Sequence, residues 1–429
     1  MKPQFMIGAV SAGSGKTLFA MGLMRALLKR GLKVQPYKCG IDFMDAQFLS
    51  LAADHETVHL DTWIASYTHV QHLYNKYGEK ADVCVVDGSG GLYDGFRKMQ
   101  GSNVDMAKLL DIPVVLLVNA RVAGYSVAPI IYGFKKFCPS MKIAGVVFNQ
   151  VGSQAHYALL KEACLDAGVD TLGFLSFSEE WKLPSKHTGL TLTVKKELDD
   201  KVEKLSEQIA EQVDIQRLLS KCNGGFPCRY MLPYSSDTEF DSFVAPMRKI
   251  KIAIARDAAF NFTYRENIAS LKRIGEITYF SPVYGSDLPE ADLVYLPGGF
   301  PELFARQLHR RRKLMDDLKA FAEKGGKILA EGGGTVLLGK SLTTRQGGTA
   351  YAMSGVLPYD FVLTNNRLQT KYRKYSIDDV EIKGHDYRFY LLPDDLSIDR
   401  LVRFKNVIAC SGHLYFGETN ILMLWNSFL

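Results

Sequence analysis

Two α/β domains in one chain, each built on a parallel sheet, are predicted by three observations. Apolar strand patterns alternate with helical ones from Phe5 to about residue 217, the alternation breaks across Ser220 to Met247, and it resumes at Lys249. Such alternation is what parallel βαβ units require. A chain of 429 residues is long enough for separate cores. The predicted layout is a first domain over 1–219, a linker over 220–247 rich in Cys, Gly, Pro, Ser and Asp, and a second domain over 248–429.

The first element carries the clearest chemistry. Phe5-Met-Ile-Gly-Ala-Val-Ser-Ala-Gly-Ser-Gly-Lys-Thr17 is an apolar strand running into a small-residue loop, followed by the helical pattern Leu18 to Lys29. Gly13, Ser14 and Gly15 allow a tight turn whose N–H groups converge, and the helix start adds its positive dipole end. Lys16 reaches the outer phosphates, and Thr17 supplies a hydroxyl for Mg²⁺. The strict P-loop pattern is missed at one place, since Val10 stands where its first glycine belongs. An ordinary glycine turn with a surface lysine is the bland alternative. The strand before and the helix after favour a nucleotide site.

The next strands end in acids. Lys33 to Asp45 is a short strand that breaks at Gly40 and exposes Asp42 and Asp45, while Asp82 to Gly95 is a buried strand ending at Asp87, with Asp94 in the glycine loop after it. Ligands of open α/β sheets sit outside the carboxyl ends of the strands. Magnesium on a nucleotide wants one or two carboxylates. Asp87 and Asp42, with Thr17, are the metal candidates, and Asp94 is a third acid for metal or acceptor. Asp45 reads as a helix cap. Ile112 to Asn119 and Ile143 to Asn149 are further buried strands. Asn149 stands where related folds bond the adenine edge, a structural strand-end Asn being the alternative. Lys38 suits a phosphate or substrate carboxylate, and Phe43 and Met44 suit either ring contacts or core. His187, in Leu183 to Leu190, is a lone loop histidine.

Composition excludes several classes. The net charge of +6 is mild, and its densest patch, Arg310 to Lys313, reads as a solvated helix face, so no nucleic-acid partner is expected. Seven scattered cysteines argue for free thiols in a reducing compartment. No signal peptide and no apolar run of membrane length is visible, so a cytoplasmic protein without a membrane partner is expected.

The second half repeats the strand logic at Lys251 to Ala255, Leu293 to Gly299, Lys327 to Gly334 and Val407 to Phe416. Here the resemblance becomes specific. Gly13 to Thr17, Pro36 to Asp45, Leu60 to Trp63, Asp87 to Gly95, Leu183 to Leu190, Ala255 to Tyr264 and Leu296 to Glu302 resemble cobyrinic acid a,c-diamide synthase, in the family's order and over nearly the whole chain. The family's first domain resembles dethiobiotin synthetase, and its second a flavodoxin-like class I glutamine amidotransferase. The resemblance implies an ATP- and Mg²⁺-dependent ligase. Carboxylates c and then a of a corrin are phosphorylated, and ammonia displaces the phosphate. Lys16, Thr17, Asp42, Asp87 and Asp94 would carry that half. Asp87 stands where the family mostly has Glu, and Ile41 where it usually has Pro.

The resemblance also exposes a gap. A glutaminase needs a thiolate on a strand-to-helix elbow, an activating His and two oxyanion donors. Lys327 to Glu331 followed by Gly332-Gly333-Gly334 has the elbow's shape, His413 stands in the matching place, and the N–H groups of Gly299 and Gly333 are the expected donors. Where the family has Cys, this chain has Gly332. Three accounts stay open: a deliberate Cys-to-Gly change, natural loss with use of free ammonia, or service by another thiol such as Cys410. Asp386 and Arg388 are further departures. The expected small-molecule partners are a tetrapyrrole and glutamine or ammonia; a homodimer is left open. Another tetrapyrrole substrate and a non-catalytic P-loop regulator are the alternatives, and cobyric acid synthase fits less well.

Overall fold

The computed structural model describes residues 1–184, 191–230, 249–285, 287–344, 348–363, 369–377, 380–388, 390–391 and 401–425. His187 lies outside them. The chain divides into two compact units, one built on Met1–Ser185 and Leu192–Tyr234, the other containing Ser235–Leu429.

The first unit runs β1 (Lys2–Ala9), α1 (Lys16–Lys29), β2 (Val34–Cys39), α2 (Phe43–Ala53), β3 (Val58–Leu60), α3 (Tyr67–Gly78), β4 (Val83–Asp87) and α4 (Asn103–Leu110). It continues through β5 (Val114–Asn119), α5 (Val127–Phe137), β6 (Ile143–Val151), α6 (Gln154–Asp166), β7 (Thr171–Ser176), α7 (Leu192–Gln212), α8 (Ile215–Lys221) and β8 (Asn223–Gly224). The sheet order is β3-β2-β4-β1-β5-β6-β7, and all six of these pairings are parallel. Its central strands are apolar on both faces, with Phe5, Met6, Ile7, Val85 and Val86 all fully buried, as a sheet covered on both sides demands. The register decides the site: Lys38 pairs with Asp87 across β2 and β4, and Ile7 pairs with Asp87 across β1 and β4. Helix α1 is clamped to α7 by Arg25, which bonds Asp199 at 2.7 Å and Glu203 at 3.0 Å.

The expected linker starts too early. Residues 222–229 run along the first unit instead: β8 pairs antiparallel with Lys2 and Pro3, Cys222 and Cys228 are buried, and Asn75 exchanges two hydrogen bonds with the Cys228 backbone. Side-chain bonds to backbone hold this segment, so no hydrophobic period announced it. All seven cysteines are free and buried. Among the described residues no helix is long and apolar enough to cross a membrane.

The second unit runs β9 (Ile250–Ala255), α9 (Arg265–Ile274), β10 (Gly275–Phe280), β11 (Leu293–Leu296), α10 (Ala305–Arg310), α11 (Arg312–Glu323), β12 (Lys327–Glu331) and α12 (Gly333–Leu338). Then come β13 (Ser341–Thr343), β14 (Ala350–Ala352), β15 (Asp360–Leu363), β16 (Gln369–Ile377), β17 (Val380–Arg388), β18 (Tyr390–Leu391), β19 (Val402–Phe404), β20 (Val407–Cys410) and β21 (His413–Leu414). Its main sheet has the order β10-β9-β11-β12-β20-β19, parallel except for the last pair. Counted within the unit, the parallel strands follow the flavodoxin order 2-1-3-4-5. Strands β16, β17 and β21 form a separate antiparallel sheet that brings His385 opposite His413.

Candidate active site

The loop between β1 and α1 folds as its glycines require. Gly13 and Gly15 take φ of +75° and +93°, a region that costs a side chain and is open to glycine. Gly15 also lacks room, since an added Cβ would stand 2.3 Å from Asn149 Nδ2. That amide donates to the Ser14 carbonyl at 2.9 Å, and Ser14 Oγ donates to the Ser11 carbonyl at 2.8 Å. In this structure the Asn149 amide nitrogen therefore braces the loop. Lys16 is buried and donates to the carbonyls of Ser11 and Gly90. Burial lowers its pKa, against the pull of Asp87.

Behind the loop lies a buried hub of charges. Asp87 is fully buried, and its Oδ2 accepts from Lys38 Nζ at 2.7 Å and from Thr17 Oγ1 at 2.9 Å. Asp45 Oδ2 lies 3.0 Å from the same ammonium and 3.3 Å from the same hydroxyl. Burial opposes the Lys38 charge, but Asp87 and then Asp45 outweigh it and raise its pKa. Asp87 Oδ1, buried in the same hub, has no hydrogen-bond partner among the described residues.

The two acids of the β2–α2 turn hold places opposite to those expected from the sequence. Asp42 is the N-cap of α2, its Oδ1 accepting from Asp45 N at 3.0 Å, while the side chain of Asp45 joins Thr17, Lys38 and Asp87. The structure thus brings Thr17 and Asp87 together and adds Asp45 and Lys38. Asp42 is half-buried at the helix start, and Asp94 is exposed, its Oδ2 accepting from Gly91 N at 3.0 Å. Phe43 and Met44 are buried, so their place is the core. Asn103, unremarked in the sequence, pins the glycine loop after β4. It accepts from Ser89 N and donates to the carbonyls of Ser89 and Gly91.

The second unit keeps the geometry of an elbow without its nucleophile. Gly332 sits between β12 and α12 with φ +46° and ψ −112°, a conformation side chains rarely adopt. A Cβ built there would stand 3.0 Å from His413 Cε1 and 3.2 Å from its Nε2. The position is aimed at the imidazole, and glycine leaves it empty of chemistry. Gly298 is required for space, because an added Cβ would lie 1.8 Å from His413 Cε1. Gly299 and Gly333 are neighbours, a Cβ on the latter falling 3.1 Å from Gly299 N. Burial holds His413 down to about 4, hence neutral.

Cys410 is unsuited to replace the sulfur. It is fully buried, its thiol donates to the Gly412 carbonyl at 3.4 Å, and burial pushes its pKa well up. Residues the sequence reading passed over complete this site. Tyr264 OH bonds His385 Nδ1 at 2.8 Å, and Glu331, behind the elbow, accepts from Tyr295 OH at 3.1 Å. Burial drives the Glu331 carboxyl well above its usual range. Asp386 is committed to Arg373 at 3.0 Å and Tyr375 at 3.1 Å.

Comparison with known proteins adds two family models, three relatives and one solved structure. Residues 5–190 match the model of the CobQ/CobB/MinD/ParA nucleotide binding domain, and residues 251–390 that of the CobB/CobQ-like glutamine amidotransferase domain. Cobyrinate a,c-diamide synthase of Caldanaerobacter subterraneus subsp. tengcongensis is 33% identical over 90% of this chain and 86% of its own. The Listeria innocua protein of the same name is 37% identical over 82% and 77%, and that of Picrophilus torridus 31% over 96% and 95%. Among solved structures, chloroplast FtsY from Physcomitrella patens aligns at TM-score 0.33 and 15% identity over 47% of this chain and 65% of its own, too slight a likeness to carry an argument.

Proposed function

Because the chain belongs to the cobyrinate a,c-diamide synthase family, we propose that it converts the a and c carboxylates of cobyrinic acid to amides through acyl phosphates. It is an ATP-dependent amidoligase. A substrate carboxylate oxygen attacks the γ-phosphorus, the bond to ADP breaks, and an acyl phosphate forms. Ammonia attacks the acyl carbon, inorganic phosphate leaves with the bonding pair, and the surplus proton goes to solvent. Transfer of this kind is catalysed by positioning and by charge aimed at the phosphoryl oxygens. Lys16 supplies that charge from the loop. Thr17 and Asp87 are the proposed magnesium ligands, with Asp45 beside them, and Asp87 Oδ1, which has no hydrogen-bond partner among the described residues, suits a hard cation. Bound magnesium would neutralise phosphate charge. Asp42 and Asp94 are assigned to the rim, where acceptor and phosphoryl group meet.

The observation that carries this reading is the meeting of a phosphate-binding loop with a buried carboxylate hub, more acid than simple nucleotide binding needs. The hairpin after Asp94 suits the other substrate. Phe96 and Met99 are exposed there beside exposed Arg97 and Lys98, apolar surface for a macrocycle next to cations for its carboxylate arms. With Gly332 at the elbow, ammonia is taken up free. Incubation with cobyrinic acid, ATP, Mg²⁺ and an ammonium salt is expected to yield mono- and diamide with matching ADP. ATP turnover that no tetrapyrrole carboxylate stimulates would favour a nucleotide-binding regulator.

A further inference from the structure

Lys38 is a fully buried lysine whose ammonium lies 2.7 Å from Asp87 Oδ2 and 3.0 Å from Asp45 Oδ2. Thr17 Oγ1, a hard ligand of the kind magnesium takes, donates to the same two oxygens. The ammonium therefore sits within the oxygen cluster that a divalent cation would use. Lys38 is paired with Asp87 and Asp45, and Lys16 adds a second cation beside them, with exposed Asp94 acting on it from the loop. A bare dication entering the buried hub would therefore add positive charge where two ammonium groups already stand away from water. Nucleotide triphosphate brings the anions that offset this charge and gives a displaced ammonium new partners.

We propose that Lys38 is the resident cation of this hub, holding Asp87 and Asp45 in place until metal arrives with nucleotide and excluding metal that arrives alone. The inference rests on the reading of the loop as an ATP site. It makes Lys38 a positioning residue whose loss changes the order of metal entry. Asp87 Oδ1, buried without a donor among the described residues, is the oxygen left over for the incoming metal.

Manganese binding followed by electron paramagnetic resonance tests this without turnover. Wild-type protein should bind Mn²⁺ alone at least about tenfold more weakly than Lys38→Met, a floor set by the size of a like-charge repulsion at this range. With ATP present the two affinities should converge. Lys38→Arg, which keeps the charge, should behave as wild type. Thermal melting gives the second readout: Mg²⁺ alone should raise the melting temperature of Lys38→Met and leave that of wild type unchanged. Tight Mn²⁺ binding by wild type without nucleotide overturns the proposal, whether or not Lys38→Met folds. Failure of wild type to bind Mn²⁺ with ATP would overturn the ATP reading and this inference together, so the two failures are told apart.

Discussion

Asp42 and Asp45 stand three residues apart at the start of one helix, and their substitutions should separate two roles. Asp42→Ala removes the cap of α2 and should cost about 1 kcal/mol in urea unfolding. Asp42→Asn keeps the cap, so any lost ATP turnover in that variant reports the charge. Asp45→Asn should lower kcat by roughly a hundredfold, and because it takes one of the two carboxylates from buried Lys38 it should also cost about 3 kcal/mol of metal-free stability. His413 belongs to the same scale. Its pKa is depressed from 6.5 to about 4 by burial, so as pH falls below 6.5 the unfolded chain takes up a proton that the folded one refuses. Stability must then decline with falling pH until about 4. Between pH 7 and 5 this group should remove about 2 kcal/mol, and His413→Gln should show that much less acid sensitivity.

At the level of elements, the elbow and the α1–α7 contact are the exposed points of the account. A Cβ on Gly22 of α1 would lie 2.6 Å from Ile209 Cδ1 and 2.7 Å from Leu205 Cγ on α7. Gly22→Ala, favourable by helix propensity, should therefore destabilise by about 1–3 kcal/mol in denaturant titration. Gly332→Cys meets a tighter space than most side chains find, and the His413 ring must give by a few tenths of an ångström. The backbone there already has the strained form a nucleophile needs. The variant should gain glutamine hydrolysis above a buffer blank, whereas the chain with Gly332 should show none. Unchanged activity in the variant would mean the rest of the glutaminase site has decayed too.

Across the whole molecule, what was legible in the sequence was local. Gly13 to Thr17 is one continuous stretch bounded by a strand and a helix, and spacing alone exposes it. The parallel strands of the second sheet were legible from their spacing, while its flavodoxin order was implied only by the resemblance. What stayed hidden was set by register between distant strands. Lys38 meets Asp87 because β2 and β4 align them, and His385 meets His413 because β17 and β21 do. The exchange between Asp42 and Asp45 turned on where α2 begins, a matter of one or two residues that a pattern cannot fix. Residues 222–229 escaped notice for another reason, being held by hydrogen bonds to side chains of the first unit.

The central claim is that the first unit activates a carboxylate by phosphorylating it. Cobyrinic acid carrying a heavy oxygen isotope in its side-chain carboxylates, turned over with ATP, Mg²⁺ and ammonia, tests it most directly. One labelled oxygen should appear in inorganic phosphate for each amide formed. Amide formation with unlabelled phosphate would contradict the account.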